Sequence, residues 1–298
     1  MRSQRSVSAT QVLQDAKYKL FVEGKGNQEI DVVVIQELLN ANGLTAIDVQ
    51  TMGSCDNVRS AAQALIAAHP SYYFLIDRDD QDQVTVDSSW SKFPDPTAYN
   101  MLIWRKRELE NYFIDPAYLS QSQFLKPNVD VKQRILTECN RRLFLDSANL
   151  TLYALSRELR KPLAIPHFAN PDLFKNECDG LSQLGQLSQF AAKTTEVRAN
   201  LDGARINGIY SDFVQALSGG VFPLQYGTGT WLERMSGKEV FRVIANECFQ
   251  VKDAAGALLT GKAQNKQIAK QLAKLPLAQQ PTDFQDLVAL LNVRLRQP

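Results

Sequence analysis

Two short stretches carry the residues best suited to chemistry. In "KYKLFVEGKGNQE" an apolar strand pattern ends abruptly on Glu23, Gly24 and Lys25, and in "FLIDRDDQD" a nearly pure apolar run ends on Asp77, with Asp79 and Asp80 directly behind. An acidic run by itself is ordinarily a solvated loop. Here each acid follows a strand that reads as buried. Adjacent strands of a sheet lie about 5 Å apart, and ligands of open α/β folds bind beyond the carboxyl ends of the strands. If the two strands are neighbours, Glu23 and Asp77 face one pocket. Like charges gathered there raise one another's pKa unless a cation intervenes. Hard oxygen donors with water to complete the shell suit Mg2+ or Mn2+.

The elements that must position these acids follow from the pattern around them. "YKLFVEG", "TAIDVQTMG", "YYFLID" and "YNMLIWRKR" read as four strands; "VTVDSSW" reads as a short edge strand or a loop. Between the strands, "QEIDVVVIQELLNANG" has Ile30, Val33, Val34 and Leu38 at helical spacing with Gly43 past its end, and "DNVRSAAQALIAAHP" is a helix closed by Pro70. Alternating strands and helices predict an α/β fold with a mostly parallel sheet flanked by helices. The third strand, apolar on both faces, belongs in the middle. Beyond residue 116 helix follows helix: "VKQRILTECNRRLFLD", "LTLYALSRELR", "LSQLGQLSQFAAKTTEVRANL", "GKEVFRVIANECF" and "DFQDLVALLNVRL". The expected division is therefore 1–115 and 116–298, with a boundary near Asp115 and Pro116 and a mobile loop at "FPLQYGTGT".

Composition sets outer limits. A chain of 298 residues, 44% hydrophobic and 22% charged, buries an ample core. A net charge of +1 argues against a polybasic protein and directs attention to local patches. Four scattered cysteines without a CxxC pair, and only two histidines, point away from a zinc site or a disulfide framework and fit a reducing cytoplasm. The first residues lack a signal-peptide apolar core and read as a loose tail. No run approaches the roughly 20 apolar residues of a membrane helix.

The order of the acids narrows the chemistry. One Glu followed by Gly after the first strand, and DxD after the third, resembles the TOPRIM domain, in which these acids support metal-dependent phosphodiester chemistry. "FVEGKGNQE", "MGSCDNV", "FLIDRDD" and "RELENYFID" in this order look like the OLD-type TOPRIM nucleases of phage defence. The "ELENY" block separates that branch from primases and topoisomerases. Within it, a free-standing TOPRIM followed by helices is most similar to the effector nucleases of PARIS defence systems. That resemblance covers about the first 115 residues. It implies a nuclease that cleaves tRNA when released, a separate ABC-type ATPase that restrains it, and a Mg2+ or Mn2+ cofactor, and it allows a homodimer in the active state. By the same resemblance Glu23 is a metal ligand or general acid/base with Gly24 letting the chain turn, and Asp77 and Asp79 hold the metal. Asp80 either supports those ligands from behind or binds a second ion, and Glu110 either holds a second ion or caps and pairs on a helix. Lys25 stabilises developing charge or is simply solvated. Arg78 points to the other face. The alternatives are a DNA endonuclease and a TOPRIM-shaped binding module whose acids are structural.

Cationic and aromatic neighbours complete the candidate set. Arg105, Lys106 and Arg107 stand next to the acids and suit phosphate contacts; Trp104, Tyr112 and Phe113 either stack bases or belong to the core. Lys262, Lys266, Lys270 and Lys274 recur every fourth residue as a basic stripe that is a solvated face, a nucleic-acid cradle or a docking surface for an acidic partner. "GALLTGKA" fits GxxxxGK, but Ala263 stands where a phosphate loop needs Ser or Thr, and no strand is expected before it. Cys55 lacks a histidine partner and reads as ordinary. His69 and His167, each beside a proline, read as packing or capping residues.

Overall fold

The computed structural model describes residues 18–26, 29–79, 81–95, 99–160, 170–173, 175–186 and 188–296. Asp80 and His167 lie outside them.

Four strands, β1 (Tyr18–Val22), β2 (Ile47–Thr51), β3 (Tyr72–Ile76) and β4 (Met101–Ile103), form an all-parallel sheet in the order β2-β1-β3-β4. The residues of β3 are buried throughout, as a strand covered on both faces requires. Edge strand β2 alternates instead, with Ile47 and Val49 buried and Asp48 and Gln50 half-buried. Because β1 pairs directly with β3, and Val22 lies opposite Leu75, the carboxyl ends of both strands finish side by side.

Helices α1 (Ile30–Ala41), α2 (Cys55–Leu65) and α3 (Gln83–Lys92) make the crossovers. The stretch expected as an edge strand or loop is α3. Asp82 caps it by accepting from the Thr85 N–H at 2.7 Å, and that cap outweighs the strand preference of Val84, Thr85 and Val86. Ser89 and Trp90 then seat the helix on β4, with the indole N–H donating to the Ile103 carbonyl at 2.8 Å.

After the short α4 (Glu110–Phe113) and α5 (Pro116–Leu119), the two helices expected from residue 131 are a single 29-residue helix, α6 (Val131–Leu159). No Gly or Pro interrupts it, so nothing stops propagation. The helix expected around residues 181–201 is instead two, α7 (Glu177–Gly185) and α8 (Ser188–Asn200), parted near Gly185. They are followed by α9 (Gly203–Ser218), in a stretch where no helix is predicted, and by α10 (Trp231–Arg234), α11 (Gly237–Cys248), α12 (Gly261–Ala273) and α13 (Thr282–Arg296). The helical region does not stand apart from the sheet. Helix α12 packs along α1, α11 packs on α4, and one apolar core runs from Leu20 through Phe113 and Phe241 to Leu291, across the expected boundary at Asp115 and Pro116. No helix among the described residues is long and apolar enough to cross a membrane.

Candidate metal and phosphate site

The chain leaves β1 and β2 through a pair of glycines. Gly24 and Gly53 exchange backbone hydrogen bonds of 2.8 and 3.0 Å. Gly24 adopts φ +135°, and a Cβ there would lie 2.8 Å from Thr51 Cγ2, so only glycine permits the approach. The closure leaves Glu23 at the sheet edge, where its Oε1 accepts from the Asp77 N–H at 3.0 Å. Burial raises the pKa of Glu23, against the lowering effect of that hydrogen bond. Asp77 is buried and pushed well above the carboxylate range, first by burial and then by the charge of Asp31.

A cavity of about 690 Å³ opens over these residues. Its acidic lining is Glu23, Glu29, Asp31, Asp77, Glu110 and Glu239, and its basic lining is Lys25, Lys238, Arg242, Lys262 and Lys266. The first turns of α1, α11 and α12 contribute Asp31, Lys238 and Lys262 respectively, so three helix amino ends, each favouring anions, border one space. Glu110 is buried in the floor and its Oε2 has no hydrogen-bond partner. Burial and the charge of Asp31 push its carboxyl up to about 8, and burial pushes Asp31 up to about 6. Among the described ion pairs in the cavity, Arg242 meets Glu239 and Lys238 meets Asp77. Lys238 Nζ stands 3.4 Å from Asp77 Oδ2. Burial works against its charge, but Asp77, Glu110, Glu108 and Asp31 outweigh that and raise its pKa. Comparison of the chain with protein-family models, with curated proteins and with solved structures finds no match.

Glu23, Asp77, Glu110, Lys25, Lys262 and Lys266 thus meet in one place. Asp79 is exposed at φ +47°, with its N–H held by the Arg107 carbonyl at 3.2 Å. It forms with Glu23 and Cys55 a group whose ligand atoms all lie within 4.8 Å of one another. Burial pushes the Cys55 thiol up to about 11, so it stays protonated, and the oxygen donors of that group are the two carboxylates. Arg78 turns away as expected, donating to the Arg105 carbonyl at 2.7 Å.

The three cations after β4 do not line the cavity. Arg105 bonds Asp283 and Asp286 at 2.6 and 2.7 Å and stacks its guanidinium 4.0 Å from the Trp90 ring. Lys106 donates to the Asn111 carbonyl at 3.3 Å. Arg107 is buried beside Glu108 and lies over Tyr153. Arg105 and Arg107 fasten the end of β4 to the helical region and Lys106 to the adjacent α4, where the sequence suggested phosphate contacts. Trp104, Tyr112 and Phe113 are core aromatics around Phe284. His69 stacks on Tyr72. The lysine stripe divides: Lys262 and Lys266 line the cavity, while Lys270 and Lys274 meet Glu37 of α1 at 3.3 and 3.2 Å. The GxxxxGK stretch runs into the first turn of α12, and the described strand preceding it in sequence is β4, far upstream, so it is no phosphate loop.

Asp31, Lys238 and Arg242 line the site and went unread in the sequence. Asp31 resembles any acid in a helix first turn. Lys238 is 161 positions from its partner Asp77, in an ordinary amphipathic helix, and carries no local signal.

Proposed function

We propose that this chain is a divalent-metal-dependent nuclease of the OLD-type TOPRIM kind, acting on RNA as a toxic effector of phage defence and restrained by a separate ABC-type ATPase. One observation carries the metal-dependent hydrolysis: the buried Glu110 Oε2 without a partner, in a cavity where Glu23, Asp31 and Asp77 converge at the carboxyl end of a parallel sheet. An unpaired buried acceptor costs about 1 to 3 kcal/mol, a cost that a bound ion would remove. Carboxylate oxygens suit Mg2+ or Mn2+; Glu23 and Asp79, whose oxygens lie within 4.8 Å of each other, are the residues to hold the ion, with Asp77 and Glu110 lining the same cavity.

When bound, such an ion supplies an acidified water and draws charge off the scissile phosphate. The chain's own groups do the remainder. Glu23, its pKa raised by burial, can exchange a proton at the sheet edge. Lys238 offers positive charge where the phosphate becomes more anionic. Lys25, Arg242, Lys262 and Lys266 hold neighbouring phosphates with the helix amino ends behind them. The RNA preference and the ATPase partner rest on the resemblance of "FVEGKG", "FLIDRDD" and "ELENY" alone.

The test is incubation of the purified chain with tRNA and duplex DNA, in Mn2+, in Mg2+ and in a chelator. Cleavage of RNA that the chelator abolishes is the expected result. Cleavage of DNA alone would make it a DNA endonuclease, and no cleavage of either by folded protein would leave a binding module. Co-purification from cells with an ABC-type ATPase, in an inactive complex, tests the restraint.

A further inference from the structure

We propose that the ammonium group of Lys238 is the built-in second cation of this centre, so that the cavity takes one divalent ion per chain. The inference rests on the metal-dependent reading above and deepens it. The Lys238 side chain is half exposed, with 49% of its surface accessible, but the backbone delivering it is fastened from several sides. Its N–H donates to Glu108 Oε2 at 2.9 Å, and the Ser236 N–H donates to Asp146 Oδ2 at 3.2 Å. The Asn111 amide donates to the Leu232 and Met235 carbonyls, each at 3.0 Å. Gly237 packs so tightly on Asn111 that a Cβ would lie 2.5 Å from its backbone nitrogen. Glu108 and Asn111 of the "ELEN" block are therefore positioning residues for the first turn of α11, whereas Glu110 between them faces the cavity.

From that fixed turn the ammonium reaches Asp77 Oδ2 at 3.4 Å. Two-metal hydrolases set their ions about 3.5 to 4 Å apart around shared carboxylates. A second ion sharing Asp77 would have to displace the ammonium or accept its repulsion at short range. The oxygens of Glu23 and Asp79 lie within 4.8 Å of each other, a spacing that two ligands of one ion can share, and the unpartnered Glu110 Oε2 in the same cavity is a buried acceptor that the protein alone leaves unsatisfied.

Calorimetric titration of the metal-stripped full chain with Mn2+ tests this without recourse to activity. The expected stoichiometry is one ion for the wild type and for Lys238→Arg, rising to two for Lys238→Met, which keeps the length of the side chain and removes its charge. Circular dichroism checks each fold, and Lys238→Gln replaces the Met variant if that variant does not fold. Two ions in the wild type, or one in the folded neutral variants, overturns the proposal. No Mn2+ binding to the folded wild type removes the metal centre itself, and the proposal with it.

Discussion

The backbone N–H of Asp77 donates to Oε1 of Glu23 at 3.0 Å, which ties the first residue past β1 to the first residue past β3. The acid that opens the first motif is thus held by the acid that opens the second, and one substitution can separate the charge of Glu23 from its place in the fold.

Glu23→Gln keeps an oxygen for that hydrogen bond and removes the charge. It should melt within a few degrees of the wild type while cleavage falls by about 10²-fold or more. Glu23→Ala should lose cleavage equally and, by deleting the acceptor, about 1 kcal/mol of stability. Chemical denaturation and a chelator-controlled cleavage assay measure the two effects. Wild-type cleavage by the folded Gln variant would remove Glu23 from the mechanism.

The buried carboxyl of Glu110 makes metal-free stability depend on pH. Its folded pKa, about 8, lies above its ordinary 4.5, so between those values the folded state holds a proton that the unfolded state has released. Stability therefore falls as pH rises through that window and levels off above about pH 8. Asp31, Asp77 and Glu23 are raised as well and add to the fall, so Glu110→Gln, neutral throughout, should reduce the slope by the share that Glu110 contributes. Melting temperatures of metal-stripped protein from pH 5 to 9 decide it; an equal slope in the variant would assign the effect to other groups.

The lysine stripe on α12 should separate into two functions. Lys262→Glu with Lys266→Glu places negative charge in the cavity wall and should weaken nucleic-acid binding and reduce its salt dependence. Lys270→Ala with Lys274→Ala breaks the contacts to Glu37, costing under about 1 kcal/mol of stability because the pairs are partly exposed, and should leave cleavage unchanged. Binding isotherms at several salt concentrations, read beside denaturation curves, distinguish the pairs. Equal effects on binding from both would mean that the stripe acts as one surface.

The sequence by itself determined the sheet and its acidic edge. Strand periodicity and strand-end polarity are local properties, so an apolar run closing on Glu23 or Asp77 announces both the element and its mouth. The adjacency of β1 and β3, on which the meeting of the two acids depended, was a condition in the sequence and a fact in the fold. Local competition misled the reading where it was close, as at α3, where a single Asp82 cap decided against strand-forming neighbours. What only the tertiary structure decided is which cations face the acids: Lys25, Lys262 and Lys266 were candidates in the sequence, whereas Lys238 and Arg242 were not. Lys238, Arg242, Lys262 and Lys266 come from helices whose inner faces look like any amphipathic surface. Arg105 and Arg107, which looked better placed in the sequence, are consumed by Asp283, Asp286 and Glu108. A charge's partner is set by packing between segments far apart in the chain, and neither spacing nor residue type encodes that distance.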